Sequence, residues 1–247
     1  MRYKIGLGLV WLVAVGLVSM TPVSTLGSEW VEYEVQGMRM SVPPTWVSTG
    51  DEETFIEALD EAGEEYPELK TLSNGVTSLM NESVDTLFLS DTLSQTNLNL
   101  GVASNPDGLP SDAELEMIAA VAPKKLEDMG KEFGIEMQVL DARILMLPTG
   151  KAIQTYSEVI FNSELTPATI SQYQYIFVTE ELFYYLNLST PQVLFEGMAP
   201  IFERIAHTIR IDDYPDSWME HTDETGQISL RLPSVWGQNA TTAAQPA

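Results

Sequence analysis

The sequence predicts an α+β domain in which an antiparallel β-sheet is flanked by helices on both faces, an α-β-α sandwich. Three observations predict this class. Runs rich in Val, Ile, Tyr and Phe follow one another in meander order. Segments with helical periodicity stand in separate blocks and do not alternate with single strands, as they would in a βαβ repeat. The 247 residues are 44% hydrophobic, which allows a sizeable core.

The amino end has the layout of a secretory signal. Arg2 and Lys4 precede an apolar run of 14 residues over 5–18, and small residues follow around Gly27. A bilayer-spanning helix needs roughly 20 residues. We therefore predict a signal peptide over 1–27 and a secreted or periplasmic mature protein. The alternative is an uncleaved anchor, which is the only membrane contact that we expect.

The first elements of the mature chain are predicted to be a hairpin, a helix and a second hairpin. Polar and apolar residues alternate over Trp30–Val42 on either side of Gln36–Gly37. Helical periodicity with an acidic outer face follows over Asp51–Glu68. The short β-like runs Thr86–Ser90 and Asn97–Val102 then predict the second hairpin.

The clearest helix signal begins at Ser111. Its hydroxyl can cap the helix, and Glu114 supplies the carboxylate of a capping box. Pro123 predicts a kink in this helix. Four strands in meander order are predicted next, over 138–147, 151–162, 170–179 and 182–188.

The last helix of the domain is predicted to start after Pro191, with breaks near Gly197 and Pro200. Part of the opening hairpin recurs about 190 residues later, because the segment 218–236 repeats the order of Trp, Glu, Gly, Pro and Trp found in 30–46, with two residues added in the loop. We predict one domain over 28–212. Residues 213–247 are predicted to be an acidic linker, an incomplete repeat of the hairpin and a disordered tail, either as a fragment of a tandem protein or as a remnant docked on the first domain.

Taken in order, these elements resemble those of the PsbP-like superfamily. The resemblance rests on the Gly-x-x-x-Ser-Val-Pro-x-x-Trp strand ending at Trp46, the mid-chain helix, the Tyr/Phe-rich meander and the closing Ile-Ala-His-Thr-Ile-Arg-Ile segment, and it covers roughly 29–212. That superfamily has an antiparallel sheet sandwiched by helices and includes the lumenal extrinsic subunit of photosystem II and exported bacterial relatives. The resemblance implies a binding or assembly protein without known catalysis, and it assigns no site residue.

Composition excludes several classes of function. Twelve basic residues oppose 36 acidic ones, giving a formal charge of -24, so the surface repels nucleic-acid backbones. The absence of cysteine excludes disulfides, thiolate metal sites and a cysteine nucleophile. The two histidines, His207 and His221, are accompanied by no nucleophile, phosphate-loop, dinucleotide or HExxH motif. We therefore predict that the protein is not an enzyme.

Two acidic clusters are the candidate sites. In the first, Glu57, Asp60, Glu61 and Glu64 recur at three- and four-residue spacings on one helical face, where like charges repel unless a basic partner or a cation relieves them. In the second, Asp212, Asp213 and Asp216 could supply oxygen ligands to a hard cation. For both clusters the alternative is an ordinary solvated acidic segment.

The sequence thus predicts a secreted, non-catalytic binding or assembly module that contacts a protein partner through its sheet edge or acidic helix. No cofactor is expected. One alternative is a module that binds calcium or another divalent cation. The other is a carboxylate-dependent hydrolase. Catalysis by two carboxylates depends on their separation in space, which a sequence does not give.

Overall fold

The computed structural model describes residues 29–48, 85–91, 93–132, 136–161, 168–212, 214, 218–222 and 229–233. Its largest element is an antiparallel sheet of seven strands in the order β3-β4-β5-β9-β8-β7-β6. The strands are β3 (Trp46–Ser48), β4 (Asp85–Asp91), β5 (Thr96–Ser104), β6 (Glu136–Leu147), β7 (Gly150–Phe161), β8 (Ala168–Val178) and β9 (Leu182–Pro191). The predicted second hairpin and the four-strand meander are confirmed.

A smaller sheet of three strands contains the opening hairpin, in the order β1 (Val31–Val35), β2 (Met38–Val42) and β10 (Arg210–Ile211). The turn lies at Gln36 and Gly37, as predicted, and both residues have positive φ, 48° and 78°. The chain therefore returns to its first hairpin about 170 residues later, after the second helix.

The two helices of the described part of the chain are α1 (Asp112–Glu132) and α2 (Gln192–Thr208). The capping box of α1 is confirmed, because the Ser111 backbone N–H donates to Glu114 Oε2 at 2.9 Å and the Glu114 N–H donates to Ser111 Oγ at 3.4 Å. Helix α1 contacts β6 and β7, whereas α2 packs on β2, β8 and β9. The α+β class is thus confirmed.

The predicted interruption of the last helix is wrong. Helix α2 runs without a break through Gly197 and Pro200, both of which are exposed. The opposite side of α2 is buried, with Phe202 and Ile205 fully covered. Packing of this apolar face holds the helix together where local propensity predicts a break.

The main core lies where α2, the opening hairpin and the central strands meet. Met38 and Met40 of β2 are fully buried there with Tyr175 and Phe177 of β8. Tyr214 closes one end of this core: its hydroxyl donates to the Lys151 carbonyl and accepts the backbone N–H of Val178. It thereby ties β7 to β8 after the chain has left α2.

A separate two-stranded sheet pairs β11 (Trp218–Thr222) with β12 (Ser229–Pro233). Its register resembles that of the opening hairpin. Trp218 stands opposite Pro233, and Val31 stands opposite Val42, one position inside Trp30 and Pro43.

The predicted helix Asp51–Glu68 lies outside the described residues. Neither described helix is long and apolar enough to cross a membrane.

Candidate functional site

The strongest candidate site is built on the side of β8 that faces α2. Side chains alternate along a strand, so Tyr173, Tyr175 and Phe177 share this face. The Tyr173 ring makes edge contacts with Phe195 and Phe202 of α2, at centroid distances of 5.2 and 6.3 Å. Tyr173 therefore joins the sheet to the helix at the margin of the core.

Tyr156 of β7 extends this contact away from the core. Its ring stacks on Phe195 at 4.8 Å with an interplanar angle of 10°, and it meets Tyr173 edge-on at 5.6 Å. All three rings are partly exposed. We call Tyr156, Tyr173 and Phe195 the aromatic site.

A series of hydrogen-bonded polar side chains connects β6, β7 and β8 beneath the aromatic site. Arg143 Nε donates to Gln154 Oε1 at 3.0 Å, and Gln154 Nε2 donates to the Tyr175 hydroxyl at 2.8 Å. Gln154 and Tyr175 are buried, whereas the side chain of Arg143 is half exposed and lies 3.5 Å from Asp141. Because Gln154 bonds both to Tyr175 and to Arg143, it positions the guanidinium at the surface.

Carboxylates border the aromatic site. The Tyr156 hydroxyl donates to Glu158 Oε1 at 3.5 Å, and Gln192 at the start of α2 donates to the same oxygen at 2.9 Å. Burial raises the pKa of the Tyr156 phenol, and Glu158 contributes to the rise. Burial also raises the pKa of Tyr173, with the Glu203 charge next in size. Both phenols are therefore neutral donors near neutral pH.

The rim of the aromatic site carries three acids and one base: Glu158 bonded to Tyr156, Asp141 opposite Tyr156 in the register of β6 with β7, Glu203, and Arg143 paired with Asp141. Aromatic rings and arginine, partly exposed on a rigid base, are the side chains that dominate protein-binding surfaces. Acids beside aromatic faces suit a basic partner, because a Lys or Arg side chain can meet both a carboxylate and a ring.

The described part of the chain holds no group of three or more acidic or histidine side chains that could bind a metal. Asp212 is exposed and pairs with Arg39 of β2 at 2.7 Å. Asp213 and Asp216 lie outside the described residues, as do all four acids of the predicted partner-binding helix, Glu57, Asp60, Glu61 and Glu64. Both predicted clusters therefore stay predictions.

The two histidines lie in different elements. His207 is exposed in the last turn of α2, where its Nδ1 lies 2.7 Å from the Glu203 carbonyl. His221 is in β11. A histidine near a helix carboxyl end interacts favourably with the helix dipole, which accounts for His207 without a catalytic role.

Sequence reasoning missed the aromatic site because its members come from two strands and a helix. The signal that could have found part of it is the Tyr173, Tyr175, Phe177 alternation, which places three rings on one face. That Phe195 stacks on Tyr156 depends on how α2 crosses the sheet, which local pattern does not encode.

The architecture is that of a PsbP-like α+β fold. The chain is similar to the solution structure of cyanobacterial PsbP (CyanoP) from Synechocystis sp. PCC 6803, with a TM-score of 0.51 and 12% identity over 79% of this chain and 98% of that chain. At this identity the similarity establishes the fold, and it confirms the resemblance seen in the sequence.

A crystal structure from Bacteroides thetaiotaomicron VPI-5482 is also similar, with 14% identity and a TM-score of 0.40. The match covers 85% of this chain and 56% of that chain. No protein-family model and no curated protein sequence matches the chain.

Proposed function

We propose that the protein is a secreted, non-catalytic binding module whose aromatic site holds a basic segment of a protein partner. The observation that carries this proposal is the stack of Tyr156 on Phe195, which leaves two partly exposed rings beside a rim of carboxylates. The PsbP-like fold supports an accessory role without catalysis.

Charge supports a basic partner at two length scales. Over the whole chain the formal charge of -24 attracts basic proteins and speeds their encounter. At short range, Asp141 and Glu158 border the rings, so an incoming Lys or Arg can pair with a carboxylate while its stem packs on Tyr156. A small number of such contacts carries most of the binding energy of an interface.

The placement of α1 favours the same face of the sheet for binding. Side chains alternate along a strand, so Lys151 and Gln154 of β7 lie on opposite faces of the sheet. Lys151 Nζ pairs with Asp112 of α1 at 2.6 Å. We infer that α1 covers the face opposite α2, as the sandwich predicted from the sequence requires. Among the residues that the structure describes, no helix covers the margin of the α2 face at β6 and β7, which is the margin that we assign to a partner.

Site-directed photocrosslinking tests the proposal. Benzoylphenylalanine replaces Asp141 on the rim in one variant and Glu116 on α1 in a matched control, since both are exposed acids. Each mature protein is irradiated with exported proteins of its own host. We expect a discrete crosslinked product at position 141 that is absent at position 116, weakens at high salt and is lost when Tyr156→Ser is added.

Two results would contradict the proposal. The first is equal crosslinking from positions 141 and 116, which would indicate contact without a preferred face. The second is a product at position 141 that persists with Tyr156→Ser, because the rings would then contribute nothing to the contact.

A further inference from the structure

We propose that the partner segment binds as an added β-strand along the open edge of β6, in an extended form with alternating basic and apolar residues. This inference rests on the proposed function and specifies how the basic segment is recognised. Strand addition supplies affinity through backbone hydrogen bonds and specificity through alternate side chains.

Strand β6 ends the seven-stranded sheet and is the longer of its two edges. It has 12 residues, against three in β3 at the other edge. Within the described part of the chain β6 pairs only with β7. Half of its residues are exposed, including Leu140 at 44% and Met146 at 54%. An edge strand presents backbone donors and acceptors that an extended segment can use. The Val139 N–H already donates to Glu127 of α1 at 3.4 Å, so the usable part of this edge lies beyond Val139.

A bulge divides this edge into two parts. The register with β7 shifts between Val139 and Asp141, so Leu140 is the extra residue. Bulges interrupt edge pairing and protect edge strands from indiscriminate association. Beyond the bulge, the pairing is regular from Asp141 to Leu147, which leaves a stretch of seven residues for an added strand.

The two faces of this stretch differ in chemistry. Asp141, Arg143 and Leu145 share the face of the aromatic site, whereas Ala142, Ile144 and Met146 share the other. An added strand would place every second side chain beside Asp141, Arg143 and Leu145 and the others beside Ile144 and Met146. The formal charge of -24 favours basic residues in the first set, and the apolar side chains of Ile144 and Met146 suit apolar residues in the second.

A ten-residue peptide of alternating Lys and Val with blocked ends is the probe. Its affinity for the mature protein is measured by fluorescence anisotropy beside an analogue methylated on every second backbone nitrogen. We expect methylation to weaken binding about tenfold or more, because it removes the backbone donors of the added strand while keeping all charges. Amide exchange should slow at alternate residues over 141–147.

A pair of matched variants tests the location. Met146→Lys on β6 and Met117→Lys on α1 add the same charge at exposed methionines. We expect Met146→Lys to weaken binding of the peptide about tenfold and Met117→Lys to change it less than about twofold. Equal effects, equal affinity for the methylated peptide, or no binding of either peptide would overturn strand addition.

Failure of strand addition can be distinguished from failure of the proposed function. If strand addition fails while Tyr156→Ser still abolishes crosslinking from position 141, the aromatic site binds its partner in another conformation. If Tyr156→Ser also has no effect, both inferences are wrong.

Discussion

The Tyr184 hydroxyl donates a hydrogen bond of 2.6 Å to the backbone carbonyl of Gln36, in the turn of the opening hairpin. Gln36 has a φ of 48°, a conformation that costs energy in a residue other than glycine. The bond therefore holds a strained turn against β9. Tyr184→Phe should lower the free energy of unfolding by about 1 kcal/mol in urea denaturation.

The control for this change is Tyr33→Phe, because Tyr33 is a partly buried tyrosine in the opening hairpin itself. We expect Tyr33→Phe to lower the free energy of unfolding by no more than about a few tenths of a kcal/mol. If both variants lose the same stability, the effect comes from the phenol in general and not from the bond to Gln36.

Alkaline pH should destabilise the protein. Burial raises the pKa of Tyr175 and of Tyr185 in the folded state above the ordinary value near 10. Between the ordinary and the raised pKa the unfolded chain has released these protons and the folded chain has not, so unfolding becomes easier as pH rises. The stability that Tyr175 and Tyr185 contribute is fully present below about pH 10 and is lost as the pH rises above it.

Urea denaturation at a series of pH values from neutral to alkaline measures this loss. Tyr185→Phe should make the decline above about pH 10 shallower, because one of the buried tyrosines with a raised pKa no longer titrates. A decline of unchanged slope in this variant would show that Tyr185 is not the group responsible.

The ion pair of Arg39 with Asp212 should contribute little stability. The two side chains are 43% and 60% exposed, so solvent screens their attraction. Asp212→Asn should lower the free energy of unfolding by about 0.5 kcal/mol or less at low salt, with the difference vanishing at high salt. A loss of several kcal/mol would mean that Asp212 has another role, such as the predicted cation site.

Ser111→Ala should remove most of the cap of α1. The Ser111 side chain accepts the Glu114 N–H and donates to its carboxylate at 2.8 Å. We expect a loss of about 1 kcal/mol in unfolding free energy. Ser111→Asp is the control, since aspartate also caps helices and should retain most of the stability. Equal losses in both variants would contradict a capping role.

The capping box shows which parts of this fold the sequence encodes locally. Its donors and acceptors lie three residues apart, so spacing alone predicted Ser111 and Glu114. Strand alternation likewise predicted the hairpins and the meander. The pairing of β5 with β9 and of β2 with β10 was not predicted, because residues such as Arg39 and Arg210 meet only after the chain has folded.

The same reasoning explains why acidic clusters were chosen as sites. Charge is visible in a linear sequence, and Glu57 through Glu64 form a conspicuous run. A ring stack is not visible, because Tyr156 and Phe195 are separated by 39 positions and are joined only through α2. Their contact depends on the packing of Phe202 and Ile205 that also overrode the predicted helix break.

A double-mutant cycle tests whether the aromatic site is preformed. Tyr156 and Phe195 stack at 4.8 Å, so Tyr156→Ala, Phe195→Ala and the double variant should give a coupling energy of about 0.5 to 1.5 kcal/mol in urea denaturation. A matched cycle on Phe183 and Tyr185, which stack at 5.8 Å, gives the value for a pair away from the site. Coupling near zero for Tyr156 and Phe195 would mean that the rings are not held together before binding, and the site would then lose the rigidity on which its proposed affinity depends.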